Sequence, residues 1–274
     1  MTTRALAWCA AAALVLGSTT SRSSAAAFDH GFSDYAALLG SVVRGARVDY
    51  AALEADRARL DRVVDAFSSP TRPEEEAWTR EQRMAFWINA YNALTLQAIV
   101  DHYPIRSRLF TLAPRNSIRQ IDGVWTMLTW PVAGLTVTLD DIEHRILRPT
   151  FADARVHFAI NCASISCPVL SGEPYRAPTL NVSLDAAARR YLGSAEGLRV
   201  DGSTIGVSSI FKWYGDDFIA EYAPVVPDPG DRRERAIRGV IVRFGPAAAA
   251  ERARTRQSRI AYLDYDWSLN DVAR

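Results

Sequence analysis

"PEEEAWTREQRMAFWINAYNALTLQAIVDHYP", Pro73 to Pro104, is the stretch whose reading decides the fold. Acidic residues open it, Pro104 stops it, and apolar side chains recur between them at helical spacing. Trp87, Tyr91, Leu94 and Ala98 share one face, but the other faces are nearly as apolar, which predicts a helix buried all round. Asn89 and Asn92, three apart on one side, then lie inside and need partners. Either they pin neighbouring loops, or their amides face a substrate or stabilise an oxyanion.

Working outward, Phe32 to Ser68 reads as two helices, with "VDYAALEADRARLDRVVDAF" the clearest case. After Pro104, "IDGVWTML" and "LTVTL" read as short strands around "TWPVAG", whose Pro131 and Gly134 suit a turn. Thr138 and Asp141 have the spacing of an acidic capping box for a helix ending at Arg148-Pro149. "RVHFAIN", Arg155 to Asn161, alternates and reads as a buried strand. "SLDAAARRYL" is a short helix capped by Ser183, and "LRVDGSTIGV" is a hairpin with Asp201-Gly202 at its tip. Helices near "RERAIRGVIVRF" and the Ala/Arg-rich run follow, and "RIAYLDYDWSLN" is the last strand. Helices predominate and the scattered strands call for one sheet. The expected class is α+β, a helix-rich single domain around a small, mostly antiparallel sheet.

Residues 4–27, "RALAWCAAAALVLGSTTSRSSAAA", read as a secretory signal peptide: a basic start, a short apolar run, then small residues. Its removal leaves about 250 residues, residues 28–274, a length that suits one large domain. The expected location is periplasmic or secreted, with no integral membrane segment in the mature chain. Basic and acidic residues balance, 32 against 31. Nothing in that charge pattern calls for nucleic acid, and partners stay unknown.

The residue types that carry chemistry gather in two places. On the helix from Leu139, Glu143 falls within the apolar arc of Leu139, Ile142, Ile146 and Leu147, with His144 at its edge. A carboxylate there is either paired structurally or part of an acid/base or orienting pair with His144. "RVHFAINCASISCPVL", Arg155 to Leu170, holds His157, Asn161, Cys162 and Cys167. As a strand, it would put Cys162 on the face opposite His157, which disfavours that dyad and leaves His144 as the base. A Cys162–Cys167 disulfide and a reactive Cys162 thiol at a strand exit both remain open. Zinc is weaker because the cysteine spacing is wide and only His144, His157 and Glu143 could complete a site, so no metal or cofactor is expected. In "IFKWYGDDF", Lys212, Trp213, Tyr214, Asp216 and Asp217 either line a ligand cleft or dock on the core.

"AFWINAYNALTLQAIVDHYP", "TLDDIEHRILRP", "RVHFAINCASISCP", "SSIFKWYGDDF" and "YLDYDWSLN", with "VDYAAL" before them, resemble the bacterial branch of the family called domain of unknown function 547. The resemblance runs from about residue 28 to about 270 and implies no activity. It implies that Cys162 is the more regular cysteine, with Ser often standing where Cys167 is here, so a disulfide would be a local addition. Ala163 occupies a position where glycine is common. The expected function is an exported thiol-dependent enzyme of the acyl-transfer or amide-hydrolase type. In it Cys162 is the nucleophile, His144 the base oriented by Glu143 or Asp140, and Asn89 or Asn92 the oxyanion donor. Trp87, His157, Ser166 and Trp213 are the expected substrate contacts. A non-catalytic binding domain and a thiol–disulfide redox protein using Cys162 and Cys167 are the alternatives.

Overall fold

The computed structural model describes residues 27–107, 113–227, 229–255 and 258–273. The expected signal peptide therefore lies outside the described residues, apart from Ala27.

Helix α1 (Ser33–Val42) leads through the two-residue strands β1 (Val43–Arg44) and β2 (Arg47–Val48) to α2 (Tyr50–Ala55) and α3 (Arg57–Ser68). The long acidic-led stretch divides into α4 (Arg72–Ala77) and α5 (Arg80–Val100). Thr71 and Thr79 each close a reciprocal capping box, with Glu74 and Gln82, so two start signals within one stretch make two helices. As its sequence predicts, α5 is buried on every side from Met84 to Val100 except at Gln97.

A hairpin of β3 (Trp130–Val132) and β4 (Leu135–Val137) follows, its turn made by Ala133 and Gly134, both at positive φ. "IDGVWTML" is not a strand but a run of turns. Asp141 accepts from the Thr138 amide and hydroxyl, and its own amide bonds back to the Thr138 hydroxyl, so the expected box forms. The helix it opens is π-helical over Asp141–Leu147 and continues as α6 (Arg148–Phe151), past the proline where its end was expected. Pro149 lies where the π-helical pattern gives way to α6.

"RVHFAIN" is not a strand either. Ala154–Phe158 is a 3-10 turn, and Asp153 caps it by accepting from the Arg155 amide. Helix α7 (Leu180–Leu192) begins three residues earlier than expected and takes Ser183 into its body. The hairpin β5 (Leu198–Asp201) and β6 (Thr204–Val207) turns at Gly202 as predicted, and β7 (Arg259–Tyr262) adds to β6 in parallel. Between them come α8 (Ile210–Tyr214), α9 (Ile219–Tyr222), α10 (Arg232–Phe244) and α11 (Ala247–Thr255).

The class is the helix-rich α+β predicted, with mostly antiparallel pairing, but the strands form three separate small sheets instead of one. Buried apolar side chains form two clusters. One surrounds α5; the other is built from α7, α8, α10 and the β5–β6–β7 sheet. No helix among the described residues is long and apolar enough to cross a membrane.

Candidate functional site

Cys162 sits on a loop held from behind by two asparagines. Asn92 of α5 donates from Nδ2 to the Ala159 carbonyl (3.0 Å), and its Oδ1 accepts from the Asn161 amide (2.8 Å). Asn161 extends the clamp, donating to the Pro168 carbonyl and accepting from the Ala163 amide. Ala163 takes φ 57°, a left-handed backbone held at some steric cost to alanine. Asn89 does for the next loop what Asn92 does for this one, exchanging two hydrogen bonds with the Tyr175 backbone. Both amides are spent on backbone and neither lines the cavity below. As oxyanion donors they are misplaced; the loop-pinning alternative describes their contacts.

The loop's other flank is the chain's end. Ser164 bridges Leu269, and the Ile165 and Ser166 amides bond to the carbonyls of Ser268 and Asp266. The expected last strand is regular only to Tyr262, and its remainder is this irregular clamp. It brings Tyr265 and Trp267 beside Cys162. Ser166 is consumed in the join: its Oγ accepts from the Asp266 amide and its carbonyl from the Tyr191 hydroxyl. Trp87 is likewise remote, fully buried with its indole N–H on Glu75.

Cys162 is half-buried and Cys167 buried, and both are free thiols. Their sulfurs lie 2.8 Å apart, against about 2.05 Å for a disulfide bond. Ser164 Oγ (3.2 Å) and Tyr265 OH (3.3 Å) complete the neighbours of the Cys162 sulfur. The Cys167 thiol foremost, with the two hydroxyls, holds the Cys162 thiol below its ordinary range despite burial. Burial, and then the adjacent Cys162, push the Cys167 thiol well up. One cysteine is thus set to ionise and the other to remain a donor.

The Cys162 sulfur faces a cavity of about 350 Å³ between the two core clusters. Trp125, Trp213, Tyr214, Tyr265 and Trp267 form its aromatic wall. Asp140, Glu143, His144 and His157 form its polar wall, so α5, the π-helical turn and the Cys162 loop converge on one space. The π-helical turn is wider than an α-turn, as the Arg148 amide bonding back to the Glu143 carbonyl shows, and both Glu143 and His144 reach the cavity from it. Glu143 is almost wholly buried and meets the Tyr91 hydroxyl at 3.5 Å.

The polar wall is wired by hydrogen bonds whose direction is fixed by chemistry. Arg148 can only donate, so His144 Nδ1 accepts from it (2.6 Å), and the ring hydrogen on Nε2 points toward Asp140 (3.4 Å). The lone pair that a general base would use is therefore engaged. Arg148 also grips Asp217 through two bonds (2.6 and 2.9 Å), and Asp217 accepts from His157 Nε2 at 2.7 Å. Burial would raise the Asp217 carboxyl, but the bonds from His157 and Arg148 outweigh it and hold it far below the usual range. His157 stacks on Tyr214 at 4.3 Å with Nδ1 left as its accepting nitrogen.

The separation of His157 from Cys162 expected from strand alternation falls with the strand: both border the same cavity. Of the expected residues, Cys162, His144, Glu143, His157 and Trp213 come together there; Asn89, Asn92, Trp87 and Ser166 do not. Sequence reasoning left out Tyr265, Trp267 and Trp125. The density of aromatic and acidic residues in "YLDYDWSLN" was the only local sign of the first two.

No curated protein and no solved structure matches the chain. Residues 75–192, which carry Glu143, His144, His157 and Cys162, match the model of the family described as protein of unknown function, DUF547, and it is to that family that the site-bearing segment of the chain is similar.

Proposed function

We propose that the cavity is the active site of a thiol-dependent enzyme of the acyl-transfer or amide-hydrolase type, with Cys162 as nucleophile and the His157–Asp217 pair as acid and base. The observation that carries this reading is the Cys162 sulfur, favoured as thiolate by three donors, opening onto a cavity walled by a carboxylate-oriented histidine. The thiolate attacks a carbonyl carbon, forming a C–S bond. The tetrahedral oxyanion then collapses, the bond to the leaving amine or alkoxide breaks, and His157 delivers the proton that group needs. Water, giving its proton to His157, attacks the thioester and releases the acid and the thiolate. Asp217 fixes the His157 tautomer and balances the imidazolium, which holds the Cys162 proton before attack, is neutral once the leaving group has taken that proton, and forms again when water attacks the thioester. His144, bound to Arg148, serves to position Arg148 and through it Asp217.

The test is acylation by an activated ester, read by intact mass and peptide mapping. A stable or hydrolysing acyl group on Cys162, lost in Cys162→Ala, is the expected result. Equal acylation of that variant, or none of the wild type, overturns the reading.

The 2.8 Å sulfur pair with opposite pKa shifts favours a second reading, thiol–disulfide exchange. Cys162 would attack a substrate disulfide and release one thiolate. Cys167 would then attack Cys162, forming the intramolecular bridge and releasing the second thiolate, so that the substrate disulfide gains the two electrons the cysteines lose. The leader-like residues 4–27 would place such a pair in an oxidising compartment. Reduction of a small disulfide that depends on both cysteines would favour this chemistry; dependence on Cys162 alone would favour acyl transfer.

A further inference from the structure

The three tryptophans of the aromatic wall and the two carboxylates have no role in activating a thiol. Trp213, Tyr265 and Trp267 pack on one another with ring centres 4.6–5.7 Å apart, and Trp125 joins them at 6.1 Å from Trp267. Facing them are Asp140 and the almost buried Glu143. The Glu143 carboxylate is met by the Tyr91 hydroxyl at the long limit of a hydrogen bond and lies against the Tyr214 phenol, which its charge helps to raise after burial. Among the described residues no lysine or arginine lines the cavity. The rings already accept cations from outside: the Arg119 guanidinium lies 5.1 Å from the Trp267 ring centre and Arg148 lies 5.2 Å from that of Tyr214.

A negative pocket roofed by electron-rich ring faces is complementary to an organic cation. Apolar rings repel neither end of a neutral ligand, but two carboxylates on a lining without lysine or arginine penalise an anion, since the nearby Arg148 guanidinium lies outside the lining and is committed to Asp217 and His144. We propose that the cavity binds an alkylammonium group, seated against Trp213 and Trp267 and charge-balanced by Glu143 and Asp140. Resting on the reading of Cys162 as nucleophile, this makes the substrate an acyl compound bearing an ammonium group within a few bonds of its reacting carbonyl.

Choline is the probe, compared with the neutral alcohol in which a tert-butyl group replaces trimethylammonium, so that shape is held and charge removed. Binding is read by tryptophan fluorescence and calorimetry on the intact protein. Choline is expected to bind at least about tenfold tighter than the neutral analogue. Asp140→Asn and Trp213→Leu, at side chains 45% and 44% exposed and so removable without loss of core, should each weaken choline about three- to tenfold and leave the alcohol unchanged. Cys162→Ala should bind choline like the wild type. Equal affinity for the two probes, or choline binding indifferent to both wall variants, overturns the ammonium site. If choline binds as expected while Cys162 takes no acyl group, the reaction class fails and the ammonium site stands; the two failures are therefore separable.

Discussion

At the scale of the residue, the Cys162 sulfur is governed by what donates to it. A thiol surrounded by apolar atoms ionises late, whereas one facing Cys167, Ser164 and Tyr265 has its negative charge met on three sides. The sign follows: each donor favours the thiolate, so losing one raises the pKa and lowers reactivity at neutral pH. Alkylation of Cys162 by iodoacetamide, followed across pH, should reach half its limiting rate below the ordinary cysteine value of about 8.5. Cys167→Ala should move that midpoint upward most, since Cys167 is the strongest donor, and Tyr265→Phe should move it upward by less. An unchanged midpoint in Cys167→Ala would show that the neighbouring sulfur does not set the charge of Cys162. The pair was legible as residue types in "NCASISCP", but the asymmetry between its members was not. It comes from the depth of Cys167 and from the Ser164 hydroxyl, which meets Cys162 alone.

At the scale of the element, α5 determines where the reactive loop sits. Its burial was readable because apolar residues circle it, and that also made its asparagines readable as groups in need of partners. Which partners they take was not, since the Ala159 carbonyl and the Asn161 amide lie 67 and 69 positions away. "RVHFAIN" misled for a related reason: alternation records which side chains are apolar, not whether a neighbouring strand exists. Its polar residues are instead claimed by charges elsewhere, Arg155 by Asp153 and Asp185, His157 by Asp217. The chain therefore coils into a 3-10 turn that presents them. Asn92→Ala would leave a buried carbonyl and a buried amide unpaired, a loss of about 2–3 kcal/mol in urea unfolding. Because those groups frame Cys162, its alkylation profile should shift in the same variant. A destabilised protein whose Cys162 reacts as before would show that Asn92 supports the fold without shaping the loop.

At the scale of the whole molecule, the cavity exists because two core clusters meet along it, and Asp217 ties them together. Arg148 approaches from the end of the π-helical turn in the first cluster, and His157 from the 3-10 turn, whose Val156 packs in the first cluster and whose Ala154 and Phe158 pack in the second. Asp217 comes from the turn after α8, in the second cluster. The aromatic wall is assembled the same way, from Trp125 on one side and from Trp213 and the chain's end on the other, so no window of sequence contains it. Asp217 is held below its ordinary pKa in the folded state, so its contribution is complete above the unfolded value of about 3.9 and is lost as pH falls toward the folded one. With a quarter of its side chain exposed, the pair is only partly screened. Asp217→Asn removes the charge while keeping the shape, and it leaves the Arg148 guanidinium half-buried without its counter-ion. At neutral pH the variant should be less stable by about 2 kcal/mol in urea unfolding. The gap between wild type and variant should narrow on acidification below about pH 4, because the wild type then begins to lose what the variant never had. A gap that is the same in acid as at neutral pH would mean that the Asp217 charge is not what joins the two clusters across the cavity.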